Sequence, residues 1–313
     1  CIVEDNKHNL WIGTSDGGLN YYDNASQLYK NYLFNSGNLD VPFKDIKTVY
    51  VDEVQDRIYV GAHAGGMMVL HRKSGYIEYY NRHNSNLPSN NIYSIISDGY
   101  GGLWVASLEY LLHFDIDKRN FTIVDVDEDG HKLQQYNRLL FCDSKKRIWA
   151  GGEMGISVFN QVGTSLLPNT DFQIASVLKQ AFVNCFYETS SGYLWIGTRN
   201  GLFALKESDK QFLQYTTENG LPSNVIYGIL EDAYGRLWIS TNQGLSCLNP
   251  ESGKFRNFTI MDGLQGNQFN AGAYCRKDNG YMLFGGVNGI TSFRPETLID
   301  NPYAPKPVIN KLF

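Results

Sequence analysis

The chain has 313 residues, 42% of them hydrophobic, so it is long enough to bury a sizeable core in one large domain or two ordinary ones. Its net charge of -5 gives no basic field for nucleic acid or anionic lipid, and no apolar run approaches the ~18 residues of a membrane-crossing helix. The five cysteines (Cys1, Cys142, Cys185, Cys247, Cys275) are scattered, odd in number and without a Cys-x-x-Cys pair, so neither a disulfide framework nor a zinc site is indicated. No signal peptide is visible.

Read from the N-terminus, one pattern recurs. It is "LWIGTSDGGL" at Trp11, "IYVGAHAGGM" at Tyr59, "LWVASLEYLL" at Trp104 and "IWAGGEMGIS" at Trp149. It continues as "LWIGTRNGLF" at Trp195, "LWISTNQGLS" at Trp238 and "MLFGGVNGIT" at Leu283. The anchors are 48, 45, 45, 46, 43 and 45 residues apart, and one period in this range marks a propeller or another repeat array. Within the sixth repeat, "NVIYGILED", "RLWISTN", "LSCLNP" and "KFRNFTI" read as four strands joined by short turns at "EDAYGR", "NQG" and "ESG". A single such sheet cannot bury both faces, whereas a ring of copies can. The expected fold is therefore all-β: a seven-bladed β-propeller of four-stranded antiparallel blades over residues 1–298.

The anchor aromatic is expected to fill the wedge between neighbouring blades. The small residue two positions later shares its face and leaves room for the next blade. Helical periodicity is nearly absent, with one candidate turn over 172–184. The start "CIVEDNKHNLW" aligns without a gap to "GILEDAYGRLW", so the chain is expected to begin inside a strand, as a fragment of a longer protein would. The seventh repeat lacks a clean fourth strand. Ring closure is expected from a strand upstream of Cys1 or after Pro307.

Function is sought where side chains on rigid sheets meet solvent. The turns between the second and third strands carry Asp16, His63, Glu109, Tyr110, Glu153, Arg199, Asn200, Asn242, Gln243 and Asn288. Arginine and amide groups supply paired donors and acceptors for a polar ligand, and Tyr110 supplies a face for stacking. Tyr110 stands where the other repeats have glycine, which marks either function or a different turn. In "DVDEDGHKLQQY", Asp125, Asp127 and Asp129 have the spacing of the first half of a calcium loop, but the twelfth position is Tyr136 and no helix flanks it. An acidic exposed link is the plainer reading, and no cofactor is expected. The six histidines fall at unrelated repeat positions, with no nucleophile elbow and no phosphate-cradling loop. The link 165–182 is longer than its counterparts and could reach over the face.

The string "ED-x-x-G-x-LWIGT-x-x-GL", followed by "NGLPSN" at 219–224 and "NLPSN" at 86–90, resembles the two-component regulator propeller repeat. The resemblance covers residues 1 to about 298, with Tyr59, Leu283 and the turn of the third repeat as departures. It implies a non-enzymatic sensor module, lying in the periplasmic part of an inner-membrane hybrid histidine kinase of the Bacteroidetes type and responding to oligosaccharides. The resemblance also implies an adjacent propeller, a following β-sandwich whose start is 299–313, a homodimer in the full-length protein, and no direct nucleic-acid contact by this part. Streptogramin-lyase-type propellers carry similar tandem repeats and act with a histidine and metal-bound carboxylates. Here His63 with Glu109 or Glu153 would be that set. A protein-binding scaffold that uses the links between blades is the further alternative.

Overall fold

The computed structural model describes residues 1–32, 43–107, 109–124, 137–169, 178, 180–206 and 211–298. These form seven antiparallel sheets, each ordered along the chain without crossover. Six have four strands, as in Ile226–Glu231, Leu237–Thr241, Gly244–Asn249 and Lys254–Phe258 of the sixth blade. Among the described residues the seventh has three, Phe269–Arg276, Met282–Gly286 and Gly289–Phe293. The first strands of all seven blades neighbour one another in a closed circuit, and that of the seventh lies against that of the first. The segment proposed for the missing strand, and residues 299–313, lie outside the described residues. So does most of the expected helical turn; of its described residues, Leu178 and Gln180 are in 3-10 conformation, and the last two open the strand Val183–Glu188.

The anchors are architecture, as expected. Trp11, Trp104, Trp149, Trp195 and Trp238 are all buried, as are Tyr59 and Leu283, which stand in their place. Trp238 stacks on Phe258 of its own blade and leans on Phe293 of the next. The glycine two residues on is a socket. A Cβ at Gly13 would lie 2.5 Å from Ile46 Cγ2 of the next blade, and one at Gly61 would lie 2.5 Å from Ile92 Cγ2. Close packing leaves no slack for that methyl group.

The aspartate of the "ED" string pins the tryptophan. Asp232 Oδ1 accepts the backbone N–H of Tyr234 at 2.9 Å and of Arg236 at 2.9 Å. Its Oδ2 accepts from Arg236 Nε at 2.7 Å and from Trp238 Nε1 at 3.0 Å. Asp143 repeats the set around Trp149 at 2.8 Å, and Asp5 holds Trp11 Nε1 at 3.2 Å. A buried indole N–H left without a partner would cost stability, so the turn and the wedge are specified together. In blade 3, Asp98 holds His113 at 2.7 Å instead, and Trp104 Nε1 donates to Gln161 of the next blade at 3.3 Å.

Candidate functional site

The turns between second and third strands lie on the face opposite these aspartates, because antiparallel strands alternate in direction. Several of their backbone groups are engaged by a recurring set of bonds. Thr198 Oγ1 donates to Gly201 O at 2.8 Å and accepts Asn200 N–H at 2.9 Å, and Thr241 does the same for Gly244 and Gln243 at 2.8 and 3.0 Å. The glycine N–H then donates to the link that enters the next blade: Gly66 to Asn90 O at 2.7 Å, Gly201 to Asn224 O at 2.8 Å and Gly244 to Asn267 O at 2.6 Å. The side chains of those three asparagines accept from Arg82 N at 2.9 Å, Thr217 N at 2.9 Å and Ile260 N at 2.8 Å. The asparagine of "LPSN" is thus spent on tying outer strand, link and turn together, a role that the repeat pattern alone leaves unassigned.

The innermost strands carry a feature that alternation did not reveal. In blades 2 to 6 their pairing skips one residue near this face: Lys47, Tyr93, Arg138, Asn184 and Tyr227 in turn. A bulge leaves one residue out of the ladder and re-aims its side chain. Asn184 Nδ2 donates to Ile226 O of the next blade at 2.8 Å, and Tyr227 packs into the core between blades 6 and 7.

Two of the bulged residues build a ladder with three neighbours. The His63 ring lies 6.5 Å from that of Tyr93, and the Arg138 guanidinium sits 4.9 Å over the Tyr93 ring. Arg138 is also 5.8 Å from the Phe182 ring, whose face is covered by the Arg199 guanidinium at 3.6 Å. Glu153 pairs with Arg138. Lys47 pairs with Asp45 at 2.8 Å, and His63 Nδ1 is 3.9 Å from the same carboxylate. Arg138 Nε and Asp45 Oδ1 are buried and have no hydrogen-bond partner among the described residues. Burial pushes the Tyr93 phenol up, so it stays a neutral donor.

The predicted site residues therefore divide. His63, Glu153 and Arg199 join one polar stripe across blades 2 to 5, whereas Tyr93, Arg138 and Phe182 were missed. Asp16, Glu109, Asn200, Gln243 and Asn288 are exposed on their own turns, with no contact to the stripe among the described residues. Asn242 is half-buried, and its buried Oδ1 has no hydrogen-bond partner among the described residues. Tyr110 is half-buried against the core shared by blades 2 and 3. Its φ is not positive, unlike that of Gly244 (110°) or Gly201 (115°), and Ser107 N–H donates to Tyr110 O at 2.9 Å. Tyr110 therefore does not need the left-handed backbone that glycine favours. The calcium candidates Asp125, Asp127 and Asp129 lie outside the described residues. Among the described residues, the one grouping of three metal-ligating side chains with ligand atoms within 4.8 Å is Glu4, His8 and Asp278, on the opposite face and not at His63.

Comparison with known proteins agrees with this architecture. The sequence profile described as "two component regulator propeller" matches residues 86–109, 178–200 and 220–243. Histidine kinase P4 of Formosa agariphila is 26% identical over 353 residues; the match takes in 94% of this chain, which spans 25% of that protein's length. The extracellular domain assigned to the hybrid two-component system BT4673 of B. thetaiotaomicron superposes with a TM-score of 0.75 at 19% identity, over 93% of this chain and 37% of the other. Streptogramin B lyase superposes with a TM-score of 0.69 at 12% identity, over 93% and 91%, which is a likeness of fold alone. Among the described residues no helix is long and apolar enough to cross a membrane. The chain is a seven-bladed propeller in which three repeats match the two-component regulator propeller profile, and that is the family it resembles.

Proposed function

We propose that this chain is an extracytoplasmic sensing module of a hybrid two-component sensor kinase, without catalysis of its own, and that oligosaccharides are its ligands. The observation that carries the reading is the polar stripe of His63, Tyr93, Arg138, Glu153 and Arg199 on the face of the second-to-third-strand turns, held on strands of a rigid ring. Such a face offers a sugar fixed donors, acceptors and aromatic edges with little ordering cost. The histidine kinase and two-component relatives support the signalling half of the reading. In the full-length protein the neighbours would be a second propeller, a β-sandwich entered through 299–313 and a homodimeric partner, on the periplasmic side of the inner membrane. Binding would act by favouring one of two domain arrangements.

The test is calorimetric titration of the chain, and of the intact sensor, with a panel of oligosaccharides. Binding without turnover, with altered autophosphorylation of the intact kinase, is the expected result. Turnover abolished by His63→Ala would overturn the sensor reading in favour of a lyase-type enzyme.

A further inference from the structure

We propose that the ladder of His63, Tyr93, Arg138, Phe182 and Arg199 is an acidic-sugar subsite, in which Arg199 receives the carboxylate of a uronate residue. This rests on the sensor reading and gives it a ligand class.

The charges on the stripe decide the chemistry. Lys47 is matched by Asp45, and Arg138 by Glu153. Arg199 has no carboxylate partner among the described residues, although its turn is exposed and its guanidinium is held in place. Among the described residues, Arg199 is therefore the one positioned cation of the stripe without a matching carboxylate. At 3.6 Å the guanidinium covers the Phe182 ring, and the backbones of the two residues are joined by Arg199 N–H donating to Phe182 O at 3.0 Å. Stacking occupies the face of the guanidinium and leaves its in-plane N–H edge for a partner. That edge has the fork geometry that fits a carboxylate with two parallel hydrogen bonds.

The neighbours suit the rest of a sugar ring. Arg138 Nε is a buried donor without a hydrogen-bond partner among the described residues, and Tyr93 brings an aromatic edge and a phenol. The Asn200 side chain stands exposed beside Arg199. A neutral sugar would leave the Arg199 charge unused. A bare inorganic anion would use the fork but not the aromatic edge or the amide. A hydroxylated ring bearing a carboxylate uses all of them.

The experiment titrates the chain with galacturonic-acid oligomers, with galactose oligomers of the same length, and with acetate. The uronate oligomers are expected to bind at least tenfold tighter than the galactose oligomers, with an affinity that falls as salt rises. Arg199→Ala should remove that preference and the salt dependence. Arg199→Lys should not restore the preference, because an ammonium lacks the planar fork. An unchanged melting temperature for both variants separates this from misfolding. Equal affinity for galactose and galacturonate oligomers, or an uronate preference that survives Arg199→Ala, overturns the subsite and leaves the sensor reading standing. Acetate binding as tightly as the oligomers also overturns it, as a simple anion site. If no oligosaccharide binds and none changes kinase output in the intact sensor, both readings fall.

Discussion

Glu4 of the first blade accepts the backbone N–H of Asp278 of the seventh at 2.8 Å, on the face opposite the ladder. The same contact recurs where blades follow one another in sequence. Glu188 takes Ser144 N–H at 2.7 Å, Glu231 takes Ser190 N–H at 3.1 Å, and in blade 2 Glu53 takes Asn6 N–H at 2.7 Å. The seam between last and first blades is thus bonded like the joints inside the ring. Ile2 and Leu10 meet Leu283 across it.

Glu4→Gln should weaken that seam. It exchanges a charge-assisted acceptor for a neutral one beside Lys277, whose Nζ is 3.8 Å from Glu4 Oε1. A loss of about 1–3 kcal/mol is expected. Glu188→Gln should cost a comparable amount. Urea unfolding of the two variants checks this, with hydrogen exchange rising first in the strands flanking the altered joint.

Asp232→Ala should be more damaging than its size suggests. It strands two backbone donors, the Arg236 side chain and the buried Trp238 indole at once. Leaving such groups unpaired costs about 1–3 kcal/mol each before relaxation, so a drop of at least ~3 kcal/mol is expected. Trp238→Phe removes only one of these bonds and should be milder. Thermal melts of the two variants, followed by tryptophan fluorescence and circular dichroism, rank them.

Two turn glycines separate strain from collision. Gly289 has φ 121°, and a Cβ there would stand in open space, so Gly289→Ala should cost only the backbone strain, about 1–2 kcal/mol. Gly244 has φ 110°, and a Cβ there would meet Phe258 O at 2.3 Å. Gly244→Ala must also push the outer strand aside and should be clearly the worse of the pair in denaturant titration. Equal losses would mean that the outer strand yields freely.

Alkaline pH should destabilise the protein. Burial pushes the Cys185 thiol up to about 12 and those of Cys247 and Cys275 up to about 11, and it raises the Tyr274 phenol as well. The folded state thus prefers the protonated thiols. Their contribution is intact below the ordinary thiol value of about 8.5 and is lost as pH rises through that value towards 11–12. Unfolding free energy measured from about pH 7 to 11 should fall over the upper half of that range. A thiol reagent at about pH 8 should label the buried Cys185 and Cys247 only after denaturant is added. Replacing Cys185 with alanine should flatten part of the alkaline fall.

The blade count was legible because seven copies of one pattern average out local ambiguity. The role of Trp238 and of the glycine socket followed from two positions on one face of a strand. The partners of the "ED" carboxylate were not legible, since a motif shows that a residue recurs but not which donors surround it. The ladder was hidden for another reason. Each bulge adds a single residue between otherwise alternating neighbours, as Tyr93 stands between Ile92 and Ser94, and a period-two pattern does not register it. Its members also come from four blades, so no stretch of sequence holds more than one pair. The missing glycine at Tyr110 was readable in the sequence, but not that the backbone there needs no positive φ.

The socket at Gly61 and the methyl group of Ile92 that fills it sit in successive blades, 31 residues apart. Neither position can drift by itself. Among sequences descended from a common ancestor, a bulkier residue at the first should arrive with a smaller one at the second, so the pair is inherited as one unit. A blade copied or lost would have to match its neighbours at both joints, so the junction, rather than the blade, is the unit that packing constrains.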